Sequence, residues 1–489
     1  MLFNSYEYIF LFFPVSILFY FYLNRKRLII ASKTWLVFVS LFYFSWLNIA
    51  FLPLLLISIM FNYAVGTGIT RYVTEHRDDK KKLLVIIGIT GNMLLLIYFK
   101  YMDFFIMNVN YLMKSNFELM HIVLPLGISF FTFTQIAYLV DSYRGEVKEY
   151  DLLNYSLFVT FFPHLLAGPI IHHKEMMPQF NMKRTKILNY ENLSKGIYLF
   201  AIGLFKKVLI ADVFASWVGK GFEHSNDLHF ISAWFTSLSY TFQIYFDFSG
   251  YTDMALGAGL MFNIKLPYNF DSPYKSTDIR EYWRRWHMTL SRFLRDYVYI
   301  PLGGNRQKEY RIYLNLIVTF LLGGLWHGAG WTFVLWGLLH GVAMSVHRLW
   351  TMTNIKLNKV VAWFVTFNFI NITWVFFRAS SIDVAMNIIQ GMVGMKGFVL
   401  PMSLACKLSV LKNLGVIFVD DWLLYLRETT MRVLSYIIVS FIIVVIFKNS
   451  NSMIEKFRPT YQTAFFTIVL AIVGIFHLSQ VTEFIYFNF

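Results

Sequence analysis

The sequence predicts an all-α polytopic membrane protein, and three observations carry that expectation. Of its 489 residues, 57% are hydrophobic and 19% aromatic against 15% charged, a balance far from that of soluble domains. Apolar runs of roughly 14 to 21 residues recur from end to end, enough for helices that cross a hydrocarbon core about 30 Å thick. The excess of Lys and Arg, a formal net charge of +15, sits mostly in short segments beside those runs, where cations fix orientation. That placement makes membrane lipids the surroundings and argues against nucleic acid as a partner.

Taken in order, the apolar runs place about 12 spans at 8–23, 34–47, 49–67, 83–99, 122–141, 197–216, 229–247, 312–325, 331–347, 359–377, 433–447 and 463–479. The opening MLFNSYEYIF has no basic stretch before its apolar run and no small-residue cleavage site, so it reads as a first span and not as a removed signal. Arg25, Lys26 and Arg27 follow that run, which puts the N-terminus outside and the first loop in the cytoplasm. The basic segments 71–82 and 306–311, and the stretch holding Lys448, Lys456 and Arg458, fall inside by the same count. An even number of crossings then leaves the tail, 481–489, extracytoplasmic. No soluble domain separates from the rest, so 1–489 reads as a single integral membrane domain.

Several stretches depart from plain spans. Residues 153–171 contain Pro163, His164, Gly168 and Pro169, which points to a re-entrant or broken helix; irregular backbone at membrane depth must be buried in protein or line a cavity. Lys206 and Lys207 interrupt the 197–216 run and draw it towards the cytoplasmic interface. Residues 248–263 read as a short half-helix, and 380–430 as an amphipathic stretch lying on the membrane. No internal repeat is visible. The single cysteine, Cys406, excludes an internal disulfide or a Cys-based metal site and reads as a packing residue.

An ionisable group at membrane depth costs about 2.5 to 3.5 kcal/mol on insertion scales, which makes it a functional candidate. Two blocks qualify: EYWRRWHMTLSRFLRDYVYIPLGGN (281–305) and GGLWHGAGWTF (323–333). Read as one helix, Trp283, Trp286, Leu290, Phe293 and Tyr297 form an apolar stripe, with Arg284, His287, Ser291 and Arg295 on another face and Arg285, Arg292 and Asp296 flanking. Two readings of this basic amphipathic helix stay open: a surface anchor on anionic headgroups, or a landing site for a phosphate-rich donor with His287 along its path. His327 follows an apolar run too short to span the core, so it is expected below the outer surface, at the bottom of a depression. It is either a buried histidine bonded to a carbonyl or a general base, since imidazole can take a hydroxyl proton at neutral pH. His164 and His340 read as structural or pathway histidines. Asp247, Ser249 and Asp253 are expected to pair with buried Lys, Arg or hydroxyl groups, or to orient a catalytic histidine. No metal-ligand pattern, phosphate-binding loop or nucleophile elbow occurs.

These blocks resemble the membrane-bound O-acyltransferase (MBOAT) family, in its bacterial polysaccharide-acetylating branch. The resemblance rests on 124–145, 158–170, 243–257, 281–305, 323–333 and the closing FIYFNF (484–489), in order and across nearly the whole chain. Tyr282 stands where the family pattern leads one to expect Phe. The resemblance implies a bundle of about 11–12 transmembrane helices around a central tunnel, with re-entrant and interfacial helices and a catalytic core at about 122–347. It implies His327 as catalytic histidine and His287 as the second tunnel histidine. Acetyl-CoA is the implied donor, and its phosphates would meet Arg284, Arg285, Arg292 and Arg295. A periplasmic SGNH-type, esterase-like partner would complete transfer to an envelope polysaccharide from the bacterial cytoplasmic (inner) membrane.

Abundant Lys, Asn, Ile and Phe lean towards an AT-rich genome, and so towards peptidoglycan over alginate or another exopolysaccharide. Two alternatives stand beside this reading: D-alanyl transfer from a carrier protein to teichoic acid, and a polytopic transporter or export pore. Tyr486 is the hydroxyl of the closing EFIYFNF. It is either part of an aromatic belt or an acyl relay, as in the related D-alanylation systems, where a tyrosine near a C-terminus carries the acyl group.

Overall fold

The computed structural model describes all residues except 47, 167, 421, 422, 424–427, 479–484 and 486–489. Among the described residues the long helices are Tyr8–Arg25, Ile29–Ser45, Ile49–Thr74 and Asp78–Met113. They continue with Ile128–Tyr143, the unbroken succession Tyr190–Phe205, Lys206–Ala211 and Asp212–Glu223, then Phe230–Met261, Glu309–His327 and Trp331–Met352. Lys359–Arg378, Thr430–Val445 and Tyr461–Phe476 complete the set. Among the described residues each apolar run expected from the sequence overlaps one of them, the 122–141 run becoming helical only at Ile128. Tyr8–Arg25, Ile49–Thr74, Asp78–Met113 and Lys359–Arg378 are long and apolar enough to cross a membrane by length and composition alone. Others dilute their hydropathy with polar residues turned inward, as Asp247, Ser249 and Asp253 are on the 230–261 helix.

That helix is the axis of the molecule. Every residue from Ser239 to Gly259 is buried, so it is surrounded and not amphipathic. Glycines let its neighbours approach: a Cβ at Gly203 would lie 2.8 Å from Met254 N, and one at Gly250 would lie 2.8 Å from Gly203 O. The same device joins helices 309–327 and 331–352. A Cβ on Gly341 would lie 2.7 Å from Ile317 Cα, and one on Gly324 would lie 3.1 Å from Gly337 Cα. Small residues at such seams replace the hydrophobic drive that lipid does not supply. Here they bring the end of the 309–327 helix, which carries His327, hard against the 331–352 helix.

The structure corrects several expectations. Residues 248–261 are not a half-helix but the continuation of Phe230–Met261. Lys207 does not sit at an interface: it is buried, 2.7 Å from both Asp212 and Asp247, so its charge is matched inside the bundle. Residues 283–297 are not one helix. Ile279–Arg285 and Met288–Leu294 are separated at His287, whose φ of 43° is left-handed, and Arg295–Tyr299 continues as a π-turn. Within 380–430, Ile382–Met392 is helical and packs on the central helix, and Val399–Pro401 pairs in parallel with Ile417–Val419. Cys406 is exposed and not packed. Residues 152–165 are broken as expected, with Phe161 separating Leu152–Thr160 from Phe162–Leu165.

Candidate active site

The left-handed residue at His287 places two different environments on the two sides of one short segment. On one side is a cavity of about 670 Å³ lined by Arg280, Arg284, Arg292, Arg295 and Arg348, with Trp283, Met288, Thr289, Phe320 and His347. Its volume is in the range of small-molecule sites, about 300–1,000 Å³. Arg292 is held by Glu175 at 2.6 and 3.0 Å, and Arg348 by Glu309 at 3.0 and 3.2 Å. Arg295 faces its neighbour Asp296 at 2.6 Å. Arg280 and Arg284 are exposed and, among the described residues, have no acidic partner within ion-pair distance. This is a cation-rich, open-mouthed cavity with an aromatic wall.

On the other side His287 is fully buried. Its ring lies 4.8 Å from that of Phe248, 6.1 Å from Trp326 and 6.4 Å from His327. Met288 and Thr289, which line the cavity, are the next two residues of the chain after His287. His327 is 2% exposed and boxed by aromatic edges: Trp326 at 4.9 Å, Trp336 at 5.3 Å and Phe377 at 5.1 Å. Beyond Trp336 stands His340, whose ring is 4.7 Å from that indole. Trp283 Nε1 donates to His340 Nδ1 at 3.2 Å.

The end of the helix that carries His327 is clamped. Lys100 Nζ donates to Trp326 O at 2.5 Å and to Ser129 Oγ at 3.2 Å, and Tyr101 hydroxyl donates to Leu325 O at 2.5 Å. The last carbonyls of a helix carry partial negative charge and lack intrahelical partners. A cation and a hydroxyl from the Ile97–Tyr101 π-turn supply those partners one and two residues before His327. His287 is held from the 262–278 segment, where Asn269 Oδ1 lies 3.1 Å from His287 Nδ1.

The buried acids serve elsewhere. Asp253 is bound by Lys206 at 2.7 Å and Ser450 at 2.8 Å. Asp247 pairs with Lys207 and also accepts the backbone N–H of Ile485 at 2.9 Å. The described part of the C-terminal tail therefore touches the central helix, and Ile485 is buried at 9% exposure. Tyr486 itself lies outside the described residues. His164 is buried, with Nε2 3.1 Å from Phe158 O.

Of the expected site residues, the structure brings His287 and His327 together and gathers Arg284, Arg292 and Arg295 around one cavity. It does not bring Arg285 there. That side chain turns away to Glu281 at 2.9 Å and to Asp271 O at 3.1 Å, because consecutive residues of the Ile279–Arg285 helix point about 100° apart and Glu281, four residues earlier, shares the face of Arg285. Sequence reasoning missed Arg280, Arg348, Asn269, Lys100 and Tyr101. Lys100 carried a legible signal, a cation directly after the 83–99 apolar run with further apolar residues following it. Asn269 carried none, since its role depends on a contact 18 residues away.

A model of the membrane-bound O-acyltransferase (MBOAT) family matches residues 31–388. The chain is 46% identical to a protein named "Peptidoglycan O-acetyltransferase" from Helicobacter pylori, over 100% of this chain and 98% of that protein. It is 39% identical to one named "Probable alginate O-acetylase AlgI" from Pseudomonas aeruginosa, over 80% of this chain and 75% of that protein. It is 29% identical to one named "Teichoic acid D-alanyltransferase" from Bacillus subtilis, over 50% of this chain and 66% of that protein.

Proposed function

The chain belongs to the membrane-bound O-acyltransferase family, and from that premise we propose that it takes acetyl from acetyl-CoA and moves it across the bacterial cytoplasmic membrane to O-acetylate an envelope polysaccharide, peptidoglycan first. The observation that carries this reading is a 670 Å³ arginine-lined cavity whose lining residue Met288 directly follows His287 of the buried histidine pair. Arginine recognises phosphate by charge-assisted, bidentate bonds, so Arg280, Arg284, Arg292 and Arg295 are suited to the phosphates of coenzyme A. The charged carrier stays in the cavity while its thioester end reaches past Met288 towards the histidines. Similarity to an alginate O-acetylase over 80% of the chain keeps alginate and other exopolysaccharides as the next candidates.

In this reading His327 is the general base and His287 the second histidine along the donor's path. A hydroxyl gives its proton to His327 as its oxygen attacks the thioester carbonyl. The C–O bond forms, the C–S bond breaks, and the proton returns from the imidazolium to the thiolate. No other activating reagent is needed, because the thioester is already activated. We assign the first accepting hydroxyl to Tyr486. Its described neighbour Ile485 is buried and bonded to Asp247, which supports the assignment. A phenol with a pKa near 10 needs such a base. Acetyl-Tyr486 would then hand its acyl group to an SGNH-type partner outside, with both termini on that side.

The test is purified protein in vesicles with acetyl-CoA. Release of coenzyme A, together with acetyl on the C-terminal peptide by mass spectrometry, is the expected result. Tyr486→Phe keeps the ring and loses only the hydroxyl, so full polymer acetylation by that variant would remove the relay. Thioester cleavage that requires a carrier protein would favour the D-alanyl reading, and no cleavage with solute flux would favour a transporter.

A further inference from the structure

The hydrogen bonds around the two histidines that flank His327 determine where their protons sit. Imidazole tautomers are ordinarily assigned by fitting a network, but here each network contains donors whose direction is beyond choice. Thr289 N–H lies 3.2 Å from Asn269 Oδ1; a backbone N–H can only donate, so the amide atom facing it is the oxygen. Ile170 N–H donates to Thr289 Oγ1 at 3.1 Å, which leaves the Thr289 hydroxyl proton for Asn269 Oδ1 at 2.8 Å. The third group on the same oxygen is His287 Nδ1 at 3.1 Å. An oxygen cannot donate to it, so Nδ1 must carry the proton. Asn269, Thr289 and His287 are all nearly or wholly buried, so water does not compete for these bonds. The backbone N–H of Met288 also donates to Asn269 O, at 2.9 Å, which pins the two segments in register.

His340 is fixed the other way. An indole N–H has no acceptor capacity, so the 3.2 Å contact from Trp283 Nε1 makes His340 Nδ1 the acceptor. The neutral ring must then carry its proton on Nε2.

We infer that the two histidines beside His327 are locked in opposite tautomers: Asn269 makes His287 an obligate acceptor at Nε2, and Trp283 makes His340 an obligate donor at Nε2. The inference rests on the proposed acyl transfer only for its kinetic consequence; the tautomers follow from the contacts alone. His287 can enter the reaction only by accepting an N–H or O–H, and can donate at Nε2 only after it has taken a proton. Once it does so, the Asn269 carbonyl already bonded to Nδ1–H stabilises the imidazolium. His340 offers the opposite function on the far side of Trp336. Asn269 and Trp283 are thus positioning residues, acting through the histidines they hold.

The experiment is nitrogen NMR on protein labelled with ¹⁵N-histidine in bilayers, with His287→Gln and His340→Gln used to assign the two rings. The expected spectrum has His287 protonated at Nδ1 and His340 at Nε2. Asn269→Leu, close in size but without an acceptor, should release His287 from that tautomer. Trp283→Phe, which keeps an aromatic ring and loses the N–H, should do the same for His340. Asn269→Asp keeps an acceptor oxygen and should hold the Nδ1–H form. In the acetyl-CoA assay, Asn269→Leu should lower kcat by about 10²-fold, the lower end of what a proton-transfer group contributes, with KM for acetyl-CoA within about twofold. Asn269→Asp should recover most of that loss. A packing role would be served by Leu as well as by Asp and would leave the spectrum alone. His287 protonated at Nε2 in the folded protein, or a spectrum unmoved by Asn269→Leu, overturns the inference whether or not acetyl-CoA proves to be the donor. Tautomers as stated but no turnover of acetyl-CoA would leave the inference standing and count against the proposed function instead.

Discussion

Arg284 and His287 are three residues apart, yet one is exposed at the arginine cavity and the other is fully buried. The same contrast runs through both regions. Around the histidines, Lys100, Tyr101 and Trp283 donate hydrogen bonds of 2.5–3.2 Å to His340 or to the end of the helix that carries His327, and Asn269 Oδ1 lies 3.1 Å from His287 Nδ1 as its acceptor. In the cavity, cationic side chains reach into open space, some shared with acids such as Glu175 and Glu309. A buried, directed group acts by geometry and tolerates little change, because its partners are left unsatisfied when it goes. An exposed cation acts by field, is screened by salt and is replaceable by its neighbours. Substitutions in the first region should therefore appear in kcat, and substitutions in the second in KM for the donor.

The strongest way to break that division is His327→Ala. It removes the proposed base from a closed aromatic box and should lower kcat by about 10² to 10⁴-fold, with donor binding unchanged and the protein still inserted. Near-normal turnover by a folded variant would take the chemistry away from this histidine. Lys100→Met comes next. It keeps the length of the stem but removes the cation from Trp326 O and Ser129 Oγ. Hydrogen bonds to charged groups are worth roughly 1.5–3 kcal/mol, so kcat should fall about 10- to 100-fold as the end of the 309–327 helix loosens. A rise in KM with unchanged kcat would move Lys100 into the donor site and blur the two regions.

Arg284→Gln probes the other side. Arg284 lines the cavity and, among the described residues, has no acidic partner within ion-pair distance. Its charge is available to a phosphate, and its loss should raise KM for acetyl-CoA by about 5- to 10-fold, less than a buried charged bond would give because the group is exposed. The rise should shrink at high salt. Unchanged donor affinity would leave this arginine as a lipid anchor.

How much of this was legible from the chain depends on the range of the interactions involved. The helices were legible because apolar runs are local, and His327 because a histidine inside such a run is conspicuous. Burial of the 230–261 helix on all sides was not. Residues 248–263 read as a separate half-helix; that Asp247 and Asp253 would pair with buried Lys or hydroxyl groups was legible, but that Lys207, Lys206 and Ser450 would be those partners was not, because they come from distant elements. The break at His287 was hidden for a similar reason. Local periodicity favours one helix through 283–297, whereas the left-handed histidine that breaks it sits where Asn269, 18 residues away, collects three donors. The arginine cavity was half legible: the arginines of one block were visible, but Arg348 joins them from a helix 64 residues past Arg284, and nothing local announces that.

The smallest expected effect is the most discriminating. Arg285 is adjacent to Arg284 in sequence and identical in charge, so composition and net field hardly separate the two. Geometry does. Arg285 Nη2 is 2.9 Å from Glu281, its Nη1 is 3.1 Å from Asp271 O, and it is not among the residues lining the cavity. A partly exposed pair of this kind is worth about 0–1 kcal/mol, and its charge is already neutralised locally by Glu281. Arg285→Gln should therefore change KM for acetyl-CoA by less than about twofold and leave kcat alone, while Arg284→Gln raises KM. If both substitutions raise KM alike, donor capture depends on the summed positive field of the segment and not on which side chains reach the cavity. If only Arg285→Gln does so, the donor phosphates lie along Glu281 and Asp271, outside the cavity.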